Sequence, residues 1–238
     1  MFESLSPSGI VAAALIAPPG PDVITALVPI QPAGLSPQLQ VDLLIAWERQ
    51  TAWVAAVTQP VIATVGDFAQ ADAEDHLDRR DDTALALRAA HAEIATALRL
   101  SQVTAADRLD TARALTRRLP MVADALAAGD ITYWHAHAIT CATSMLDQPK
   151  AVAVADRVLR RARRQTVSEL RRCLRRAVLA TDPSQAAERA ERAKTDRRVE
   201  FRSLEDSISS RNGVPTKASA VQSAARGTWW VRTAQQHP

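Results

Sequence analysis

The chain has 238 residues, 47% of them hydrophobic, with 29 Lys+Arg against 26 Asp+Glu for a net charge of +3, so it can bury a sizeable core as one or two domains. Seven Gly, one Tyr and three Phe against a large excess of Ala, Leu and Arg exclude a sheet-rich fold and predict an all-α multi-helix bundle. Two cysteines, Cys141 and Cys173, exclude a disulfide framework and point to a reducing cytoplasm.

Residues 1–35 open with an apolar run, Ile10 to Ala17, too short to span a membrane and without a basic stretch before it. Pro18, Pro19, Pro21, Pro29 and Pro32 with Gly20 and Gly34 then forbid a continuous helix, so this segment reads as a weakly ordered leader. Ser36-Pro37 starts the first long helix, a capping hydroxyl before a proline at the first position. Leu39, Leu43, Trp47, Val54, Val57 and Val61 recur as one apolar face, and Pro60 is expected to bend or interrupt it. Trp47 and Trp53 belong with that core rather than with stacked bases. From Asp67 to Asp82, seven acids crowd a stretch poor in large apolar side chains. Without calcium-loop spacing, and with His76 the only histidine near, it reads as a solvated loop docking on arginines downstream.

Asp82 or Thr83 would cap the next helix, which leads to Glu93–Leu115. There Ile94, Leu98 and Leu100 form one apolar set, and Ala105, Leu109, Ala112 and Leu115 a second. Ser101 caps the restart between them, and the small Ala95 marks a close approach. This is a helix-turn-helix-like hairpin, whose second helix would offer Gln102, Thr104, Arg108 and Arg113 to nucleic acid. The run from Leu100 to Arg113 resembles the promoter-reading region of sigma factors, with Arg99 where a glycine is usual at the turn and with Asp107 and Asp110 on the reading helix. The other reading is an ordinary helical hairpin with a serine cap.

Pro120 starts a further helix that Gly129 ends. His135 and His137, two apart, face opposite ways on a helix, whereas His137 and Cys141, four apart, share a face. Two ligands make no metal site, and neither metal nor cofactor is expected.

Charge is unevenly spread. Residues 1–150 hold 10 Lys+Arg against 17 Asp+Glu, and residues 151–238 hold 19 against 9. Such asymmetry means a polyanion partner or neutralisation within the fold. Between residues 157 and 176 stand Arg157, Arg160, Arg161, Arg163, Arg164, Arg171, Arg172, Arg175 and Arg176 against one acid, Glu169. Thr166 and Glu169 form a capping box, and Leu170, Leu174, Ala177 and Val178 line the buried side of that helix. Guanidinium forks suit phosphate oxygens, so all of these arginines except Arg163 join Gln102, Thr104, Arg108 and Arg113 as the nucleic-acid-binding set. The alternative is a solvated face paired with the acids of 67–82.

Asp182-Pro183 opens a last helix supported by Glu188 and Arg192, and Arg198–Arg202 alternates as a short strand. From Ser203 the composition turns to Ser, Thr, Gln and Ala without a period, through Trp229-Trp230, and reads as a disordered tail.

Several separate runs match one family in order. They are Glu93–Leu100, Ser101-x-x-Thr104-Ala105-x-x-Arg108-Leu109, Ala112–Leu115, Arg118-Leu119-Pro120, Ala127–Ile131 and Trp134-His135-Ala136. Later come Leu159, Gln165-Thr166-x-x-Glu169-Leu170-Arg171-Arg172, Arg175–Val178 and Asp196–Glu200. Over about residues 40–202 the chain resembles the actinobacterial repeat family known as domain of unknown function 222. The resemblance implies a helical region, 36–202, that precedes an HNH endonuclease module in other members, and a truncated chain here whose residues 203–238 are not family sequence. The HNH constellation of histidines, an asparagine and zinc-holding Cys-x-x-Cys pairs is absent: His237 is the only histidine after His137, Asn212 the only asparagine, and no Cys-x-x-Cys occurs. The expectation is therefore a DNA-binding helical module without enzyme activity, membrane span or small-molecule substrate. The alternatives are a degenerate structural remnant and a protein-interaction domain presenting the Trp47 helix.

Overall fold

The computed structural model describes residues 5–75, 83–183, 200–203 and 209–212. It divides into two compact units, Met1–Pro183 and Ser184–Pro238. The described part of the first unit is all helical, as the composition predicts: α1 (Pro7–Ile16), α2 (Pro21–Leu27), α3 (Pro37–Asp75), α4 (Thr83–Leu98), α5 (Gln102–Arg113), α6 (Pro120–Ala127), α7 (Tyr133–Thr143), α8 (Gln148–Ala162) and α9 (Val167–Thr181).

Residues 5–35 are folded, which corrects the reading of a weakly ordered leader. Pro7, Pro21 and Pro32 each sit at the start of a helical segment, where the missing N–H has no partner to lose. Ser6 caps α1 by accepting from the Gly9 amide. Val11, Ala14, Val23 and Leu27 are buried against Leu43 and Ala46 of α3, with Leu39 and Trp47 packed alongside. Arg49 closes this corner by donating to the carbonyls of Ala14 (2.8 Å) and Leu15 (2.5 Å), which the end of α1 leaves unpaired.

α3 is the spine on which α1, α2, α4, α5 and α6 all pack. It runs through Pro60 without the interruption that is one of the two outcomes expected there, and Gln59 donates its side-chain amide to the Ala55 carbonyl at 2.6 Å beside the proline. The expected apolar face holds only in its first half. Val54, Val57 and Val61 are exposed, and burial passes to Ala52, Gln59, Ile62 and Ala63. α5 comes so near this half of α3 that a Cβ on Gly66 would lie 2.4 Å from Leu109 Cδ1. The acids Asp67, Asp72, Glu74 and Asp75 are helical rather than in a loop. His76, Asp78, Asp81 and Asp82 lie outside the described residues, as do Glu188, Arg192, Arg198 and the Trp229-Trp230 pair.

The hairpin of α4 and α5 forms as the sequence suggests. Arg99 adopts φ +54°, the left-handed turn conformation that favours glycine, and Ser101 accepts from the Thr104 amide at 3.1 Å. Ala105, Leu109, Ala112 and Leu115 are fully buried, and Ile94 and Ala95 nearly so, whereas Leu98 is exposed. α5 then widens into a π-helical turn, Ala114–Arg118, closed by Leu119 N–H donating to the Ala114 carbonyl. Gly129, at φ +70°, ends α6 as predicted.

In the second unit, β1 (Glu200–Ser203) pairs antiparallel with β2 (Ser209–Asn212), Glu200 opposite Asn212. β1 covers most of the predicted alternating strand. β2 lies within the segment expected to be disordered.

Candidate nucleic-acid interface

α8 and α9 bury one side each, Ala151, Val154, Ala155, Val158 and Ala162 against Leu170, Leu174, Ala177 and Val178. Their joining turn is fixed from two directions. Thr166 and Glu169 form the predicted capping box, in which the Thr166 amide donates to Glu169 Oε2 at 2.8 Å. That amide and the Thr166 hydroxyl hold the Glu169 carboxyl below its usual range. From α7, His135 Nε2 lies 2.8 Å from the Gln165 carbonyl, which can only accept, so that nitrogen carries the proton. Thr132 fills the other side of the ring, its hydroxyl 2.7 Å from Nδ1.

On this hairpin all nine arginines from Arg157 to Arg176 are exposed. Among the described residues only Arg160 has a carboxylate within ion-pair distance, Asp156 one helical turn back at 2.9 Å. Among the described residues internal ion pairing, the competing expectation, takes up one of the nine. Arg157, Arg160, Arg161 and Arg176 line a cleft of about 450 Å³ between the two helices, with Val158, Gln165, Cys173 and Ala177. Cys173 Sγ accepts from Gln165 Nε2 (3.3 Å) and Arg176 (3.4 Å). The Gln165 bond and the nearby positive charges of Arg176 and Arg161 bring the thiol below its ordinary pKa. Sequence reasoning missed Gln165 and Cys173 as lining residues. The legible signal was that Cys173 precedes Arg176 by three positions on one helix.

Arg171 belongs to a different side of α9, where its charge acts on the Cys141 thiol of α7. Burial and the carboxylates Asp107 and Asp110 outweigh it and push that thiol up. Cys141 Sγ is nearly equidistant from both ring nitrogens of His137, 3.6 and 3.7 Å, so it is directed at neither lone pair. His137 Nδ1 is instead hydrogen-bonded to the Thr111 hydroxyl at 3.0 Å. Among the described residues no group of three or more His, Cys, Asp or Glu side chains is placed to hold a metal ion.

The four positions expected to read nucleic acid from α5 divide into two pairs. Gln102 and Thr104 are exposed in its first turn. Arg108 and Arg113 are half-buried and engaged: Arg108 lies over the Tyr133 ring at 4.8 Å, and Arg113 bonds Asp67 and Gln70 of α3. Tyr133 is itself largely sheltered, and that burial raises its phenol pKa. The outward charges left on α5 are those of Asp107 and Asp110.

Fold and surface together define a helical domain carrying one strongly basic hairpin. The family described as Domain of unknown function (DUF222) matches residues 44–235, and the chain belongs to it. The match extends well past residue 202, where the sequence resemblance was drawn to end. No curated protein and no solved structure matches the chain.

Proposed function

We propose that this protein is a nucleic-acid-binding helical module that uses the α8–α9 hairpin, DNA being the partner, and that it has no nuclease activity of its own. The observation that carries the reading is the exposure of nine arginines of which only one has a described carboxylate partner. Arginines that are free of acids can displace the counterions condensed on phosphates, which drives association. In the α4–α5 hairpin the two arginines of α5, Arg108 and Arg113, are half-buried and engaged within the fold, so that helix supports the domain more than it reads bases. The resemblance to proteins with an HNH endonuclease module fits a targeting role, and the residues of that chemistry are not present in this sequence. The two free cysteines suit a reducing cytoplasm. α3 is long and apolar enough to cross a membrane by length and composition, but its packing against α1, α4 and α5 suits a core helix better.

The test is retention of the purified protein on duplex DNA. Binding should be lost when Arg160, Arg164, Arg171 and Arg175 are changed together to Ser with helicity unchanged. Metal-dependent nicking of plasmid, abolished by EDTA, would overturn the non-enzyme reading.

One observation favours a second reading, a protein-interaction domain presenting the Trp47 helix. Val54, Val57, Val61, Val65 and Phe68 form an exposed stripe along α3 at spacings of three and four. A folded protein that shows no DNA retention but self-associates or captures a partner through this stripe would support it.

A further inference from the structure

The cleft between α8 and α9 differs from the rest of the basic surface because its charges converge. Arg157, Arg160 and Arg161 reach it from the last two turns of α8, and Arg176 from the opposite wall on α9. Arg160 shares its charge with Asp156, which leaves Arg157, Arg161 and Arg176 without a described carboxylate inside ion-pair distance. Holding three like charges around one cavity is unfavourable in the free protein, and an anion bound there relieves it.

The lining also says what kind of anion fits. Its polar side chains other than the thiol are the arginines, which only donate, and the Gln165 amide, whose N–H donates to Cys173 and whose Oε1 is buried without a partner, so the occupant must supply acceptors to the guanidinium groups. Among the described residues no aromatic ring lines the cleft for a base to stack on, and no carboxylate lines it to repel phosphate. At about 450 Å³ it has the size of a small-molecule pocket rather than of a track for an extended strand. An internal phosphodiester brings a single negative charge. A terminal phosphomonoester brings close to two, with three acceptor oxygens, and so matches the convergent guanidinium groups better.

We propose that the α8–α9 cleft is a binding site for a phosphomonoester, the group found at the 5′ end of a nucleic-acid strand, held by Arg157, Arg161 and Arg176. The proposal rests on the nucleic-acid reading above and assigns the cleft a role distinct from the general attraction of the surrounding arginines. Arg163, Arg164, Arg172 and Arg175 attract the strand in any register, and the cleft fixes its end.

The experiment compares one single-stranded oligonucleotide in two forms, 5′-phosphorylated and 5′-hydroxyl, by fluorescence anisotropy with the full chain. A nucleoside 5′-monophosphate serves as competitor. The phosphorylated strand should bind about tenfold more tightly, an estimate equivalent to one strong charge-assisted contact. R161S/R176S, at two exposed positions, should weaken both forms through the two charges lost and abolish the difference between them. Alkylation of Cys173 by iodoacetamide should slow when the phosphorylated strand is bound, with Cys141 unaffected. Equal affinity for the two forms overturns the phosphomonoester site and leaves the nucleic-acid reading standing, whereas no binding of either overturns both. A preference that survives in R161S/R176S also overturns the assignment to this cleft. If the monophosphate competes as well as the phosphorylated strand, the group is recognised as proposed and its source is a free nucleotide.

Discussion

Arg113 on α5 reaches 3.0 Å from Asp67 on α3, and the same carboxylate also receives Arg117 from the π-helical turn. One acid of the 67–82 segment thus holds two arginines downstream, and it does so across the seam where α3 and α5 pack. Arg113 is half-buried and also donates to Gln70 at 2.8 Å, so removing Asp67 leaves a sheltered cation with a single neutral partner. We expect Asp67→Ala to lower stability by about 1 kcal/mol, the scale of a partly screened ion pair, read as a shift in urea midpoint. An unchanged midpoint would show that the pair carries no net stability.

Gly66 makes an opposite forecast from helix propensity. In an isolated helix Gly→Ala stabilises by roughly 1 kcal/mol. At this position an added Cβ would meet Leu109 Cδ1 at 2.4 Å and Cδ2 at 2.9 Å, inside the cluster formed with Ile62, Ile94 and Ala105. Gly66→Ala should therefore cost about 1–3 kcal/mol through overpacking. Trimming Leu109 to Ala in the same chain should make the two losses less than additive. Full additivity would mean that α3 and α5 are not as close as described.

The two thiols should separate by pH. Cys173 is lowered by the Gln165 bond and by adjacent guanidinium charge, whereas Cys141 is raised by burial and by Asp107 and Asp110. Because the thiolate is the nucleophile, the iodoacetamide rate at Cys173 should rise at a lower pH than at Cys141. Peptide mass spectrometry across the pH range resolves the two. Coincident profiles would contradict the electrostatic description of both helices.

Much of the first unit was legible because its signals are local. Ser101, the Thr166–Glu169 box, Pro37 and Gly129 each act within one turn of their own backbone, and each does in the structure what its residue type predicts. The misreadings came where tertiary packing decides. Pro18 to Pro32 do prevent one continuous helix, but Pro21 and Pro32 start helical segments, and the apolar run behind Pro7 is ordered by packing on α2 and on α3, whose Leu43 lies more than twenty residues on. The valines of α3 fitted a helical stripe, but the helices that pack on α3 bury Ala52, Gln59, Ile62 and Ala63 instead. At the candidate site the same divide holds. The arginine run was plain in the sequence. That Arg108 lies over Tyr133 and Arg113 pairs with Asp67, while Arg157, Arg161 and Arg176 converge on one cleft, depends on contacts between helices that spacing does not encode.

The central claim, that the α8–α9 arginines are available to an outside polyanion, is tested most directly by the salt dependence of duplex-DNA affinity. The logarithm of the binding constant should fall linearly with the logarithm of salt concentration. Changing Arg160, Arg164, Arg171 and Arg175 to Ser should flatten the slope by about one for each phosphate contact removed. Binding whose slope is the same in the variant and the native chain would place the interaction elsewhere, and no measurable binding at low salt would contradict the account.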